Sequence, residues 1–320
     1  MRNVVFLFAG QGSQFFFMAE KLYRTDVQFA NWMNYFDQIF KDKVGTSILS
    51  YIYDKNRSIG MPMDDIIYSN PAIFMTEVSL AKTIMAQGIQ PDAVLGVSLG
   101  EFAASAIAGI IDIKEAFETV IDLSYDIKNT CPRGGMLAII SNNRIYYQND
   151  WMRENSTIVA NNYDQHFVVA GADEKIKWIK KKLEELNVAT ALLPVLYAFH
   201  TKEIDSLEHL CLQRMSKLEY KENQIDYISG EKGQKVMDFD VNYYWHVLRN
   251  EMHFQEAIKT LDTSNSIIID VSPSGTLANF TKMICGTKNT IYSIISLYRN
   301  EDKLLKGLYD SFSEENGVGI

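Results

Sequence analysis

Gly96-Val97-Ser98-Leu99-Gly100 places a serine between two glycines, just after the apolar run Ala93-Val94-Leu95. From Gly100 onward the chain is rich in Ala, Ser and Gly with helical periodicity, so strand, sharp turn and helix meet at Ser98. That is the arrangement of a nucleophile elbow. The two glycines remove side chains that would crowd the turn, which leaves the Ser98 hydroxyl exposed at the carboxyl end of a sheet. The following helix offers its N-terminal amides, Leu99's among them, to an oxyanion developing on a carbonyl attacked by Ser98.

A serine nucleophile needs a base, and the sequence has only five histidines: His166, His200, His209, His246 and His253. His200 follows the apolar run Val195-Leu196-Tyr197-Ala198-Phe199, read as the end of a strand, where a rigid element can aim a side chain. His209 belongs to a helical run beside Glu208. His246 and His253 flank a helix start, where capping or surface roles are the plainer reading. His166 sits in a polar turn.

The elements that must position this pair follow from the apolar pattern. Val4-Val5-Phe6-Leu7-Phe8 is a continuous apolar run closed by Ala9-Gly10, as expected of a strand buried on both faces. Residues 15–52 have apolar positions at helical spacing, with aromatics read as core. Asn70-Pro71 is expected to open an amphipathic helix running to Met85, since proline suits a first helical turn. Between about 130 and 196 the rhythm changes to strand (136–140), helix (143–154), two strands (157–160 and 167–170), helix (174–186) and strand (190–195). This β-α-β-β-α-β order is that of a ferredoxin-like module. Ile267-Ile268-Ile269-Asp270-Val271 is one more buried strand beyond it. The expected class is therefore α/β, with a catalytic subdomain of residues 1–129 plus 197–312, an inserted ferredoxin-like subdomain of residues 130–196, and a frayed tail at 313–320.

Composition removes several functional classes. Nearly half of the residues are apolar, enough for a large core, and the net charge is -9. Such a surface does not suit nucleic acid, which calls for clustered Lys and Arg. The one dense basic run, Lys175 to Lys182, reads as a solvated helix face. Cys131, Cys211 and Cys285 are odd in number and far apart, which fits a reducing cytoplasmic compartment, not a disulfide or zinc framework. The N-terminal apolar run is too short for a signal-peptide core, and no run approaches a membrane span.

Four ordered motifs, Phe8-Ala9-Gly10-Gln11-Gly12-Ser13-Gln14, Gly96-Val97-Ser98-Leu99-Gly100-Glu101, Tyr197-Ala198-Phe199-His200 and Asp270-Val271-Ser272-Pro273-Ser274-Gly275, resemble those of malonyl-CoA:acyl carrier protein transacylases and polyketide-synthase acyltransferases. The resemblance covers about residues 3 to 300. It implies an α/β-hydrolase-like large subdomain carrying a ferredoxin-like insertion. It also implies ping-pong chemistry, in which Ser98 attacks a thioester and His200 takes and returns the proton. The implied oxyanion hole consists of the backbone amides of Gln11 and Leu99. A main-chain carbonyl in the segment from Trp245 to Asn250, with Val247 the expected residue, would orient the histidine. The implied partners are an acyl carrier protein or acyl-CoA, with no metal or organic cofactor, and a monomer is the family default.

Two positions depart from the malonyl-loading pattern. Ungapped counting puts Leu123 where those enzymes carry an arginine for the free carboxylate of the acyl group. A guanidinium fork suits a carboxylate, whereas leucine leaves it unpaired at a cost of several kcal/mol. Val97 stands where most loading enzymes have histidine. A small apolar residue there, no arginine, and the turn Cys131-Pro132-Arg133-Gly134-Gly135-Met136 resemble the discrete acyl-hydrolase branch that clears stalled acyl groups from carrier proteins. The expectation is thus hydrolysis of non-carboxylated acyl groups in polyketide biosynthesis; acyl transfer onto a carrier protein and a non-catalytic docking scaffold are the alternatives. Phe199 and Asn162 are candidate substrate contacts, with packing and turn formation as their plainer readings. Glu101 reads as a first-turn helix carboxylate.

Overall fold

Strands buried on both faces have no polar side to alternate with, and the apolar run at residues 4–8 becomes such a strand at the centre of a sheet. The computed structural model describes residues 2–287 and 289–316. In chain order the strands are β1 (Asn3–Phe8), β2 (Ala93–Gly96), β3 (Gly134–Ile140), β4 (Thr157–Tyr163), β5 (His166–Ala172), β6 (Ala189–Leu192), β7 (Asp226–Ser229), β8 (Gln234–Lys235), β9 (Ser266–Asp270) and β10 (Thr290–Ser293). They form a six-stranded sheet in the order β10-β9-β1-β2-β7-β8 and a four-stranded sheet in the order β4-β5-β3-β6. The large sheet is parallel except for β8. Phe6 and Phe8 enter the core on one face, and Val5 and Leu7 enter a second cluster on the other.

The small sheet is antiparallel throughout, and its order is that of a ferredoxin-like β-α-β-β-α-β unit. One face packs Leu137, Ile139, Phe167 and Val169 against the helix Asp173–Glu185 through Ile176, Ile179 and Leu183. The other face looks toward the large subdomain. The architecture is α/β-hydrolase-like with a ferredoxin-like subdomain inserted after the helix Ile113–Thr130.

Several elements differ from expectation. The helix expected from Asn70 begins a turn earlier, as Ile66–Ala86, capped by Asp65, whose carboxylate accepts from the Ile67 N–H at 3.3 Å. Pro71 therefore lies inside the helix, and nearly every side is buried because the helix packs among its neighbours under the sheet. The run 195–199 is a buried loop, not a strand; β6 ends at Leu192. Strands β7 and β10 were not expected. The helix expected at 143–154 is broken into Arg144–Gln148 and Asp150–Arg153. Instead of fraying from 313, the last helix continues to Asn316, and the rest of the expected tail lies outside the described residues.

The elbow depends on backbones meeting without side chains between them. A Cβ on Gly100 would lie 2.3 Å from the Phe8 carbonyl oxygen, and one on Gly96 would lie 2.5 Å from the Glu101 Cα. These neighbours are main chain, so they cannot swing aside. We expect Gly100→Ala to destabilise the protein by about 1–3 kcal/mol or more, read as a lower midpoint in urea or thermal unfolding; an unchanged midpoint would contradict this packing.

Candidate active site

Ser98 lies two residues beyond β2 and precedes the helix Gly100–Ile107, with φ of 54°, a left-handed backbone that a serine adopts only when its surroundings impose it. Val97 N–H donates to the Phe8 carbonyl at 3.0 Å, and Gly100 N–H to the Val97 carbonyl at 3.0 Å, which closes the turn. His200 is also left-handed, with φ of 62°. Its own N–H donates to the Leu248 carbonyl at 3.1 Å, which pins the loop to the helix Val241–Arg249. The two side chains meet with Ser98 Oγ and His200 Nε2 2.9 Å apart.

The imidazole is buried, and burial lowers its pKa from 6.5 to about 4, opposed by the main-chain carbonyl of Asn250. Nδ1 has no aligned acceptor among the described residues. The main-chain carbonyl that bears on the ring is that of Asn250, just past the end of the helix that carries the expected Val247. The helix ends at Arg249, so the carbonyls of its last turn, Val247's among them, are released from helical pairing along with that of Asn250.

The loop after β1 wraps the same turn. Gln14 fixes it by accepting from the Gly12 N–H at 2.7 Å and donating to the carbonyls of Met63 and Pro194, both at 3.0 Å. Glu77, buried, accepts from the Ala9 N–H at 2.7 Å. The Gln11 side chain donates to Asn70. Among the described residues, neither the Gln11 N–H nor the Leu99 N–H has an acceptor. Two free amides flanking a serine paired with a neutral imidazole form an arrangement able to attack a carbonyl and hold the resulting oxyanion.

Below the dyad, Glu101 keeps its place in the first turn of the elbow helix but is fully buried. Burial pushes it up to about 7, against hydrogen bonds from Tyr243, the Glu231 N–H and Ser229. Ser229 Oγ and Glu231 N–H each lie 3.0 Å from its Oε1. Glu101 is therefore a structural tie, turned away from the cavity that the dyad lines. The fourth motif acts similarly. Asp270 accepts from the Ser272 N–H at 2.9 Å and the Ala278 N–H at 2.8 Å, which sets the turn into the helix Thr276–Cys285.

The dyad opens into a cavity of about 370 Å³ between the large subdomain and the inward face of the small sheet. Gln11, Val97, Leu99, Asn162 and Phe199 line it. Leu123 does not. It is buried in the core, and Ile127, one turn further along the same helix, takes the wall position. Among the described residues, no Lys, Arg, Asp or Glu lines the cavity. Arg133 sits over the Tyr197 ring, 5.6 Å from its centroid, outside the cavity. His166, read above as a turn residue, begins β5 and lines the cavity, with Asn162 Nδ2 3.0 Å from its Nδ1. Their meeting was encoded in the short hairpin that joins β4 to β5, but the alternation is broken there by a register shift between Asn161 and Tyr163. Asn70, Met252 and Phe280 reach the cavity from distant segments and carried no local signal.

This fold and site accompany a family match: the chain belongs to the acyl transferase domain family, whose pattern it matches over residues 5–308. It is similar to the polyketide biosynthesis acyltransferase homolog PksD of Bacillus subtilis (strain 168), 36% identical over 305 residues that make up 94% of each chain. It is also similar to the homolog BaeD of Bacillus velezensis (strain DSM 23117 / BGSC 10A6 / LMG 26770 / FZB42), 33% identical over 317 residues and 98% of each chain. Among solved structures, a loading acyltransferase from the avermectin modular polyketide synthase has the same fold, with a TM-score of 0.87 at 22% identity, covering 97% of this chain and 99% of that one. Among the described residues, no helix is long and apolar enough to cross a membrane.

The buried imidazole has two consequences for pH. Any reaction in which it accepts a proton from Ser98 needs its neutral form, so the acid limb of such a reaction is expected well below the 6.5 of a free imidazole, near 4. Between those values the unfolded chain binds a proton that the native site refuses. This site's contribution to stability is therefore complete above 6.5 and is lost as pH falls toward 4, by on the order of 3 kcal/mol. Stopped-flow acylation and urea unfolding across pH 4–7, each compared with His200→Ala, measure both; an acid limb at 6.5 or above would contradict the burial.

Proposed function

We infer that this protein is a serine-dependent enzyme of polyketide biosynthesis that takes neutral acyl groups from carrier-protein thioesters and passes them to water. Ser98 Oγ attacks the thioester carbonyl while its proton moves to His200 Nε2. The amides of Gln11 and Leu99 hold the oxyanion, the C–S bond breaks, and the thiolate takes the proton. A water then attacks the Ser98 ester, giving its proton to His200. The C–O bond breaks, and Ser98 recovers its proton as the acid leaves.

The observation that carries the reading is the absence of any cationic side chain among the described residues lining the cavity. A carboxylated acyl group such as malonyl would be buried there without a partner, a cost of several kcal/mol. A neutral acyl group suffers none. The names of the relatives, polyketide biosynthesis acyltransferase homologs, support the setting and the acyl chemistry. They also favour the second reading, transfer of the acyl group from CoA to a carrier-protein thiol. Both use the same dyad and differ in what attacks the acyl-Ser98 ester.

Intact-mass measurement after mixing with acetyl and malonyl thioesters tests the cargo. We expect an acetyl adduct on Ser98, absent in Ser98→Ala, with malonylation slower by on the order of a hundredfold or more; a dominant malonyl adduct would sink the reading. Free acid measured against acyl carrier protein product decides between water and thiol as acceptor.

A further inference from the structure

The inward face of the small sheet carries unusually small side chains in one line. Ala160 on β4 is the register partner of Val168 on β5, Val168 of Ala138 on β3, and Ala138 of Ala191 on β6. All four line the cavity that holds the dyad. The row crosses every strand of the sheet, so at about 4.8 Å per strand it is roughly 14 Å long. Its inner end lies at Met252, which pairs with β4 at Ala160, and its outer end, Ala191, is exposed on the edge strand β6. Three alanines around Val168 leave open a trough that larger side chains at those positions would fill.

The two flanks of the trough differ in chemistry. On one side, Asn162 and His166 bring an amide and an imidazole to the cavity, suited to the amides of a pantetheine arm. The row itself has no group that can donate or accept, and an amide buried against it would go unsatisfied. A chain of methylenes meets no such penalty.

We propose that the row Ala160, Val168, Ala138 and Ala191 is the binding trough for a linear aliphatic acyl chain of about four to eight carbons. The proposal rests on the acyl-enzyme reading above and names its substrate class. The size follows from the volume. A cavity of roughly 150 Å³ takes one benzene ring, so 370 Å³ holds about fifteen non-hydrogen atoms, shared between the chain and the end of the pantetheine arm.

Acylation of the full-length protein by acetyl, butanoyl, hexanoyl and octanoyl N-acetylcysteamine thioesters, followed by intact mass, tests it. Each added methylene should raise the acylation rate constant by roughly threefold as it leaves water, so hexanoyl should exceed acetyl by on the order of a hundredfold. Ala138→Leu narrows the middle of the trough and should cut the hexanoyl-to-acetyl ratio at least tenfold. Because Ala138 is buried, Ala191→Phe at the exposed edge is the second variant, and it should cut the octanoyl-to-butanoyl ratio without a change in melting temperature. A wild-type profile that is flat or favours acetyl overturns the trough while leaving the acyl-enzyme reading intact, as do wild-type ratios retained in both variants. The absence of both an adduct and released free acid with every thioester overturns the acyl-enzyme reading and the trough with it.

Discussion

The site depends on one hydrogen bond, 2.9 Å between Ser98 Oγ and His200 Nε2, made by two residues that both stand in left-handed backbone. Neither conformation is one that serine or histidine adopts freely; each costs on the order of 1–3 kcal/mol. The surroundings must therefore over-determine both. For Ser98 the determinants are the parallel pairing of β1 with β2 and the close backbone contact at Gly100. For His200 they are the Leu248 carbonyl and the burial of its loop. The strain points the hydroxyl and the imidazole out of the main chain toward each other, at the cavity between the large subdomain and the inserted one.

The electrostatics follow from the same enclosure. A buried imidazole with a lowered pKa is neutral near pH 7, the form able to accept a proton from Ser98. With no charged wall among the described residues, the strongest polar features at the dyad are its own amides. A low-dielectric surrounding makes such fixed dipoles count for more than they would in water. The chemistry of the cavity is accordingly set by backbone geometry more than by side-chain charge.

Much of this could be read in the sequence, for identifiable reasons. Ser98 and its glycines form a local motif, and a local motif fixes a local turn. The strand centred on residues 4–8 and the β-α-β-β-α-β rhythm after residue 130 are set by continuous burial and by period, which sequence displays directly. What could not be read depends on distant partners. Leu123 was counted into the cavity, yet a helix turn is about 5.4 Å of rise, and the wall falls to Ile127 instead. The end of the helix that carries Val247 has no clear mark in the sequence, and the carbonyl that bears on the ring belongs to Asn250, just past that end. His166 looked like a turn residue because the bulges that rotate β4 relative to β5 have no signature of their own.

Glu101 joins the two halves of the dyad from beneath. It leaves the turn that carries Ser98, gathers hydrogen bonds from Ser229 and Tyr227, and accepts one from Tyr243, on the helix whose Leu248 carbonyl holds His200. The nucleophile and its base thus share a buried anchor supplied by residues more than a hundred positions later in the chain. During synthesis on the ribosome, the elbow emerges long before the helix Val241–Arg249 does. A nascent chain carrying Ser98 would therefore have neither a seated base nor a settled elbow, and the serine would stay unreactive until the polypeptide that disciplines it has been made.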